Sequence, residues 1–293
     1  MSIIGITTLA STVSFARTPT PDLSRAEEFY RRTEYGRAIE VVQSLDRRDA
    51  ATYALLGKAY FMQGQFKEAV VNLEKAIAEH GQSSDYYDWL GKAYGRLAEH
   101  SSFVSALGYA KKTVRYFERA VELGPSNLEA LSDVFEYYLD APGMVGGGMD
   151  KAENVARRVS NLDEAEYHWM RARLAEKRKE HGAAEREYRL ALAAAPDQVG
   201  RALDLAAFLS ERGRFDESDA MFRAAAEKHS NEPKVLYARA AAYIQSKRNL
   251  DQVELLLKRY LELQITPEDP QRTEVTALLK SVRSSRSKVR QGE

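Results

Sequence analysis

Eight consecutive residues, Tyr53, Ala54, Leu55, Leu56, Gly57, Lys58, Ala59 and Tyr60, return as Tyr87, Asp88, Trp89, Leu90, Gly91, Lys92, Ala93 and Tyr94, each displaced by 34 positions. The same displacement joins Tyr188 to Phe222, Ala191 to Ala225, Ala206 to Ala240 and Leu209 to Tyr243. A period of this length marks a repeat architecture and overrides any residue-count estimate of one or two globular domains. Within the unit, Tyr53, Leu56 and Tyr60 fall three or four apart on one helix face, and Gly57 removes a side chain where a second helix must come close. After Gln63, Gly64 and Gln65 break the pattern, Phe66, Ala69, Val70, Leu73 and Ala76 mark the apolar face of that second helix. Each unit is therefore a helical hairpin whose remaining apolar face only the next hairpin can cover.

On these residues the chain resembles the tetratricopeptide-repeat (TPR) proteins, of the bacterial type. The aromatic-x₂-Leu-Gly-x₂-Tyr pattern is matched by Tyr53, Leu56, Gly57 and Tyr60, and again by Tyr87, Leu90, Gly91 and Tyr94. The resemblance implies an all-α, right-handed superhelix, with Ala69, Ala120, Ala184 and Ala191 at further repeat positions. About seven hairpins are expected over residues 24–265, with insertions near 96–107 and 141–149. The first insertion is read as extended helices or a longer loop, and the second holds Pro142, Gly143, Gly146, Gly147 and Gly148. Hairpins four to seven lack the Leu-Gly pair. Residues 266–293 read as a capping helix and basic tail, carrying Lys280, Arg283, Arg286, Lys288 and Arg290.

Residues 1–23 read as a tail or a remnant signal segment. A mildly apolar stretch over 3–16 ends in Ser14, Phe15 and Ala16, small enough around the bond for a signal peptidase, but no basic residues precede it. Two localisations therefore stand, exported to the periplasm or cytoplasmic. No run reaches the roughly 18 apolar residues of a spanning helix.

Little in the chain supports chemistry. Cysteine is absent, which excludes disulfides, thiolate metal sites and Cys nucleophiles. The five histidines, at 80, 100, 168, 181 and 229, show no metal-ligand spacing, and no nucleophile elbow is present. No enzyme, cofactor or metal site is expected. With 43 basic and 43 acidic residues the net charge is zero, which removes the electrostatic term a nucleic-acid binder needs. The glycine-rich segment is the local exception. A glycine nest at a helix N-terminus binds anions, and Asp150 is placed to cap the helix that follows. This gives an alternative role as an anion or small-ligand sensor, weighed against a plain tight loop or a contact made by Met144 and Val145.

The resemblance implies instead a non-catalytic scaffold that binds a peptide segment or partner subunit in its concave groove, with self-association as a further expectation. Groove positions carried over are Lys58, Phe61 and Met62, then Asp85, Asp88, Lys92 and Arg96. Glu129, Ser132, Glu136 and Asp140 follow, then Trp169, Arg173 and Lys177, and finally Tyr237 and Ile244. Lys58, Lys92 and Arg96 are candidates for holding a carboxylate, against a solvated face of mixed charge. Along the groove the order of charge is cationic, then anionic at Glu129, Glu136 and Asp140, then cationic at Arg173 and Lys177. Trp169 and Tyr237 are candidate anchors or partial core.

Overall fold

The computed structural model describes residues 21–230 and 232–291. The stretch 3–16 lies outside these, and so do the side chains of Arg286, Lys288 and Arg290. Fourteen helices pair into seven hairpins: α1 (Pro21–Arg31) with α2 (Tyr35–Gln43), α3 (Ala50–Met62) with α4 (Phe66–Glu79), α5 (Ser84–Glu99) with α6 (Phe103–Leu123), and α7 (Leu128–Asp140) with α8 (Met149–Val159). The series continues with α9 (Glu164–Lys177) and α10 (His181–Ala194), α11 (Val199–Glu211) and α12 (Phe215–Lys228), and α13 (Pro233–Gln245) and α14 (Leu250–Glu262). A last helix, α15 (Arg272–Gln291), lays Val275, Leu279 and Val282 on the apolar face of the seventh hairpin, the capping that a terminal repeat requires.

First helices begin on side-chain caps where the sequence supplies them. Asp49 and Thr52 form a reciprocal capping box, and Ser83, Asn127 and Asp163 accept from backbone N–H groups three residues on. Second helices use a different device. In hairpins one, two, five, six and seven the connecting turn holds a left-handed residue at Thr33, Gly64, Lys179, Gly213 and Lys247, with Asn249 a second in hairpin seven. The following N–H then reaches back to the carbonyl five residues earlier, as in Gln65 to Tyr60 and Arg214 to Leu209. Only hairpins three and four depart from this turn, and they carry the two insertions.

The first insertion takes the extended-helix form: α5 runs 16 residues and α6 runs 21, against 13 and 14 for α3 and α4. The second is a 3-10 turn at Gly143–Val145 followed by a glycine loop that packs against α6. The two insertions thus form one local structure. The Tyr137 hydroxyl lies 2.7 Å from the Ala110 carbonyl of α6 and 2.8 Å from the Val145 carbonyl of the loop, where its proton serves either.

The close-approach position of the repeat explains the missing Leu-Gly pair. A Cβ on Gly57 would stand 2.5 Å from Leu73, and one on Gly91 2.5 Å from Phe117. The same place in hairpins five, six and seven is held by Ala172, Ala206 and Ala240, all fully buried, in clusters with Tyr188, Phe222 and Leu257. A small residue on the first helix thus receives a large one from the second. Hairpin four inverts the arrangement, with fully buried Phe135 on α7 and small Ala152 and Ala156 on α8. Leu56, Leu90, Tyr94, Ala69, Ala120, Ala184 and Ala191 are likewise buried, while Tyr53, Tyr60 and Tyr87 are half-buried at the seams.

Candidate functional site

An open cavity of about 1260 Å³ lies against the first helices of the first three hairpins. The groove residues Lys58, Phe61, Met62, Asp85, Lys92 and Arg96 line it, joined by Glu129 and by Tyr237 from the far end of the chain. Its floor is aromatic. Phe61 meets Phe66 and Trp89 edge to face at 5.5 and 5.4 Å, and Phe66 stacks in the same manner on His100. The Lys58 and Lys92 ammonium groups lie 5.2 and 4.8 Å from the Trp89 ring centre, and the Arg96 guanidinium 5.4 Å from that of Phe66.

The cations are already paired, Arg96 with Glu99 of its own helix and Lys58 and Lys92 with carboxylates of the neighbouring repeat. Lys58 donates to Asp85 at 2.8 Å. The Lys92 ammonium sits among three carboxylates, 2.9 Å from Asp88, 3.0 Å from Asp133 and hydrogen-bonded to Glu129. Burial alone would lower the Lys92 pKa, but Asp133, Asp88 and Glu129 outweigh it and hold the amine protonated far above neutrality. Burial pushes the Asp88 carboxyl up to about 7, with the Asp133 charge adding to the shift and Lys92 opposing it. Asp133 is raised by its burial too. Oxygens of Asp88, Glu129 and Asp133 lie within 4.8 Å of one another, a convergence not visible in the sequence. The ammonium of Lys92 already supplies the positive charge that this cluster needs.

The fourth wall of the cavity is the connection between α14 and α15. Residues 266–271 cross to the first hairpin, and Gln271 donates to the Tyr35 hydroxyl at 3.4 Å across a separation of 236 residues. Tyr30 is raised well above the ordinary phenol range by its burial, with Tyr35, Glu268 and Asp85 adding to the shift. Burial also pushes Tyr35 up to about 12. Four cations and five acids line the cavity, so its wall is not the cationic surface that Lys58, Lys92 and Arg96 suggest when read alone.

The remaining groove candidates gather elsewhere. Trp169, Arg173 and Lys177 line a second cavity of about 460 Å³ with Asp140, His181, Asp204 and Arg212. Arg173 pairs with Glu136 at 3.0 Å, and Lys177 with Asp140 at 2.9 Å, one repeat back. Burial raises Glu136 although Arg173 opposes it, and burial pushes Asp204 up to about 6. Trp169 packs 6.0 Å from Phe135, which makes it partly core. Ser132 donates to Glu166 at 2.6 Å, and Ile244 belongs to the seventh-hairpin core. The expected alternation of charge is therefore a ladder of ion pairs between successive hairpins.

The glycine loop takes a different form from the expected nest. The N–H groups of Val145, Gly146, Gly147 and Gly148 all donate to carbonyls of the same turn or of α7, leaving no donors converging on an anion. Gly148, not Asp150, is the N-cap of α8, and Asp150 sits within the first turn. Val145 is buried, so of the proposed contact pair only Met144 is presented outward. Tyr30, Phe66, Trp89 and residues 266–271 are the site components missed from the sequence. Trp89 carries a signal, being one of two tryptophans, but it falls outside the groove positions of the repeat.

No protein-family model matches the chain, and no curated protein matches it. Solved structures do match in shape. A TPR protein from Parabacteroides merdae superposes with a TM-score of 0.60 at 14% identity, over 89% of this chain and 97% of that one. A thermophilic TPR protein from Thermus thermophilus gives 0.53 at 19% identity, over 64% and 97%. A chain of the APC/C hetero-tetramer Cut9–Hcn1 gives 0.51 at 14% identity, over 88% and 48%. At such identities the likeness is one of fold, and it agrees with the in-phase period and the stacked hairpins: this chain has the all-α solenoid fold of the tetratricopeptide-repeat structures.

Proposed function

We propose that the chain is a non-catalytic interaction scaffold that holds an extended segment of a partner protein in the cavity between its first three hairpins and residues 266–274. The observation carrying this reading is the aromatic floor of Phe61, Phe66 and Trp89 inside a 1260 Å³ recess whose cations are already paired. A recess of this kind gains affinity by covering apolar surface and takes specificity from polar groups already fixed in place. A free C-terminal carboxylate would have to displace Asp85 from Lys58 or Glu129 from Lys92, so the ligand chemistry favoured is an apolar or aromatic side chain on a backbone rich in donors. The non-catalytic part of the reading is supported by the same pairing, since the perturbed carboxyls Asp88, Asp133 and Asp204 each face a cation of the structural ladder.

A photo-crosslinking residue placed at Phe61 should capture a partner segment in cells, whereas the same residue at exposed Val71 on the outer helix α4 should not. Trp89→Ala should lower partner affinity about 30-fold, the size of a 2 kcal/mol hot spot, with helical circular dichroism unchanged. Equal capture from Phe61 and Val71 would defeat the reading.

A further inference from the structure

Helix α6 carries a stripe that runs out from under its neighbours. Phe103, Leu107, Ala110 and Val114 follow one another at four, three and four residues, which places them on one helix face. Exposure along that face climbs from 8% at Val114 to 73% at Phe103. The inner end is covered by the glycine loop: a Cβ on Gly146 would stand 3.1 Å from Val114, and Tyr137 fastens the loop to Ala110. Beyond the loop the face emerges, half-buried at Leu107 and exposed at Phe103. Beside Phe103, Val104 is 81% exposed, and on the bracing loop Met144 is 68% exposed. These are three of the four most exposed large apolar side chains among the described residues, and all lie on the one structure that the two insertions build together. The loop braces it at Ala110 and Val114.

The charge of this projection is equally one-sided. Residues 100–117 contain no acid, in a chain where acids and bases are equal in number, and they contain Lys111, Lys112 and Arg115. Lys112 lies over the Tyr94 ring at 4.6 Å, and Lys111 and Arg115 have no ion-pair partner among the described residues. Glu99, at the adjoining end of α5, is neutralised by Arg96. A second copy docked in parallel through the same stripe would bring cations toward cations with no acid of the stripe to answer them. The occupant that fits is apolar within and negatively charged at its surface.

We propose that the overhang at the start of α6 is a docking wedge for an anionic phospholipid bilayer. Phe103 and Val104 enter first, at the tip. Lys111 follows eight residues behind Phe103, about 12 Å at 1.5 Å per residue. A headgroup layer is about 5 to 8 Å thick, so a tip seated at the acyl boundary holds its amine just outside the lipid phosphates. That separation is comparable with the roughly 8 Å Debye length, where its attraction to acidic lipid still acts. No helix among the described residues is long and apolar enough to cross a membrane, so the contact is peripheral and reversible.

Co-sedimentation of the full chain with vesicles tests this, using phosphatidylglycerol and phosphatidylcholine at 30:70 against phosphatidylcholine alone. Binding to the acidic vesicles only is expected, weakened at least tenfold by 0.5 M salt, by the Phe103→Ser, Val104→Ser pair, and by Lys111→Glu. These side chains are exposed, so thermal melting of the variants should match the parent and exclude misfolding as the cause. The proposal is overturned by absence of binding to acidic vesicles, by equal binding to neutral ones, or by variants that bind like the parent. Light scattering that shows the Phe103→Ser, Val104→Ser pair dissolving a dimer would overturn it as well, by making a second copy the occupant.

Discussion

Hairpins three and four solve one packing problem in opposite ways. In hairpin three the first helix withdraws its side chain at Gly91 and the second advances Phe117 into the gap. In hairpin four the first helix advances Phe135, and the second answers with Ala152 and Ala156. Both are dense, because what the core conserves is the summed volume across a facing pair and not the identity of either member. The inverted hairpin is also the one whose connection departs furthest from the short left-handed turn, using a 3-10 turn and a glycine loop in its place.

The strongest way to break this comparison is to remove the inverted knob. Phe135→Ala should cost about 3 to 5 kcal/mol in chemical unfolding, the range for deleting a fully buried phenylalanine. Adding Ala156→Leu to that variant should recover about 1 kcal/mol or more if the two face each other, and a strictly additive loss would show that they do not. Next in size is Gly147→Ala. A Cβ there would stand 1.8 Å from the Ala141 carbonyl oxygen, a backbone atom that cannot swing aside, so a loss of about 3 kcal/mol is expected, near the top of the overpacking range. Gly91→Ala should cost less, about 1 to 2 kcal/mol, because the Phe117 ring it meets at 2.5 Å can shift.

The smallest effect sharpens the junction between the two hairpins, where Asp88 and Lys92 of α5 meet Glu129 and Asp133 of α7. A carboxyl raised in the folded state holds its proton more tightly there than in the unfolded chain. Its contribution is complete below the ordinary carboxylate range and is lost as pH rises from about 4 through about 7, the value to which Asp88 is pushed. Asp88→Asn, neutral at every pH, should therefore be more stable than the parent at pH 8 by about 1 kcal/mol and gain progressively less toward pH 5. Glu254, held down to about 2 by Lys258 and Arg283, acts in the opposite sense below pH 4.5, whereas Asp204, pushed up to about 6, acts in the same window in parent and variant alike and cancels in their difference.

The parts of this molecule written locally in the chain were legible there. Tyr53 to Tyr60 and their copy 34 residues on announce the hairpin, and the shift of phase after Arg96 announces an insertion. The Leu-Gly motif was a narrower signal than the physics behind it. Its true content is a small residue on the first helix, which Ala172, Ala206 and Ala240 satisfy as well as Gly57 does. The site was less legible because its charges act in pairs across repeats. Lys58 looks like an available cation until Asp85 is set beside it, and the same holds for Lys92 with Glu129 and Arg173 with Glu136. The glycine loop resembled an anion nest because its composition does not reveal that each N–H is already engaged.

The link from Gln271 to Tyr35 has a consequence for how the chamber comes into being. Contacts in a solenoid otherwise join neighbours in sequence, so such an array assembles by zippering outward from any nucleus. The wall formed by residues 266–271 is the exception, since it joins the two ends of the zipper and closes only when every hairpin between them is in register. A truncated or internally opened chain can retain nearly all its helix while lacking that wall altogether. Helical content therefore counts assembled repeats, whereas the Gln271 to Tyr35 contact reports on completion of the whole circuit.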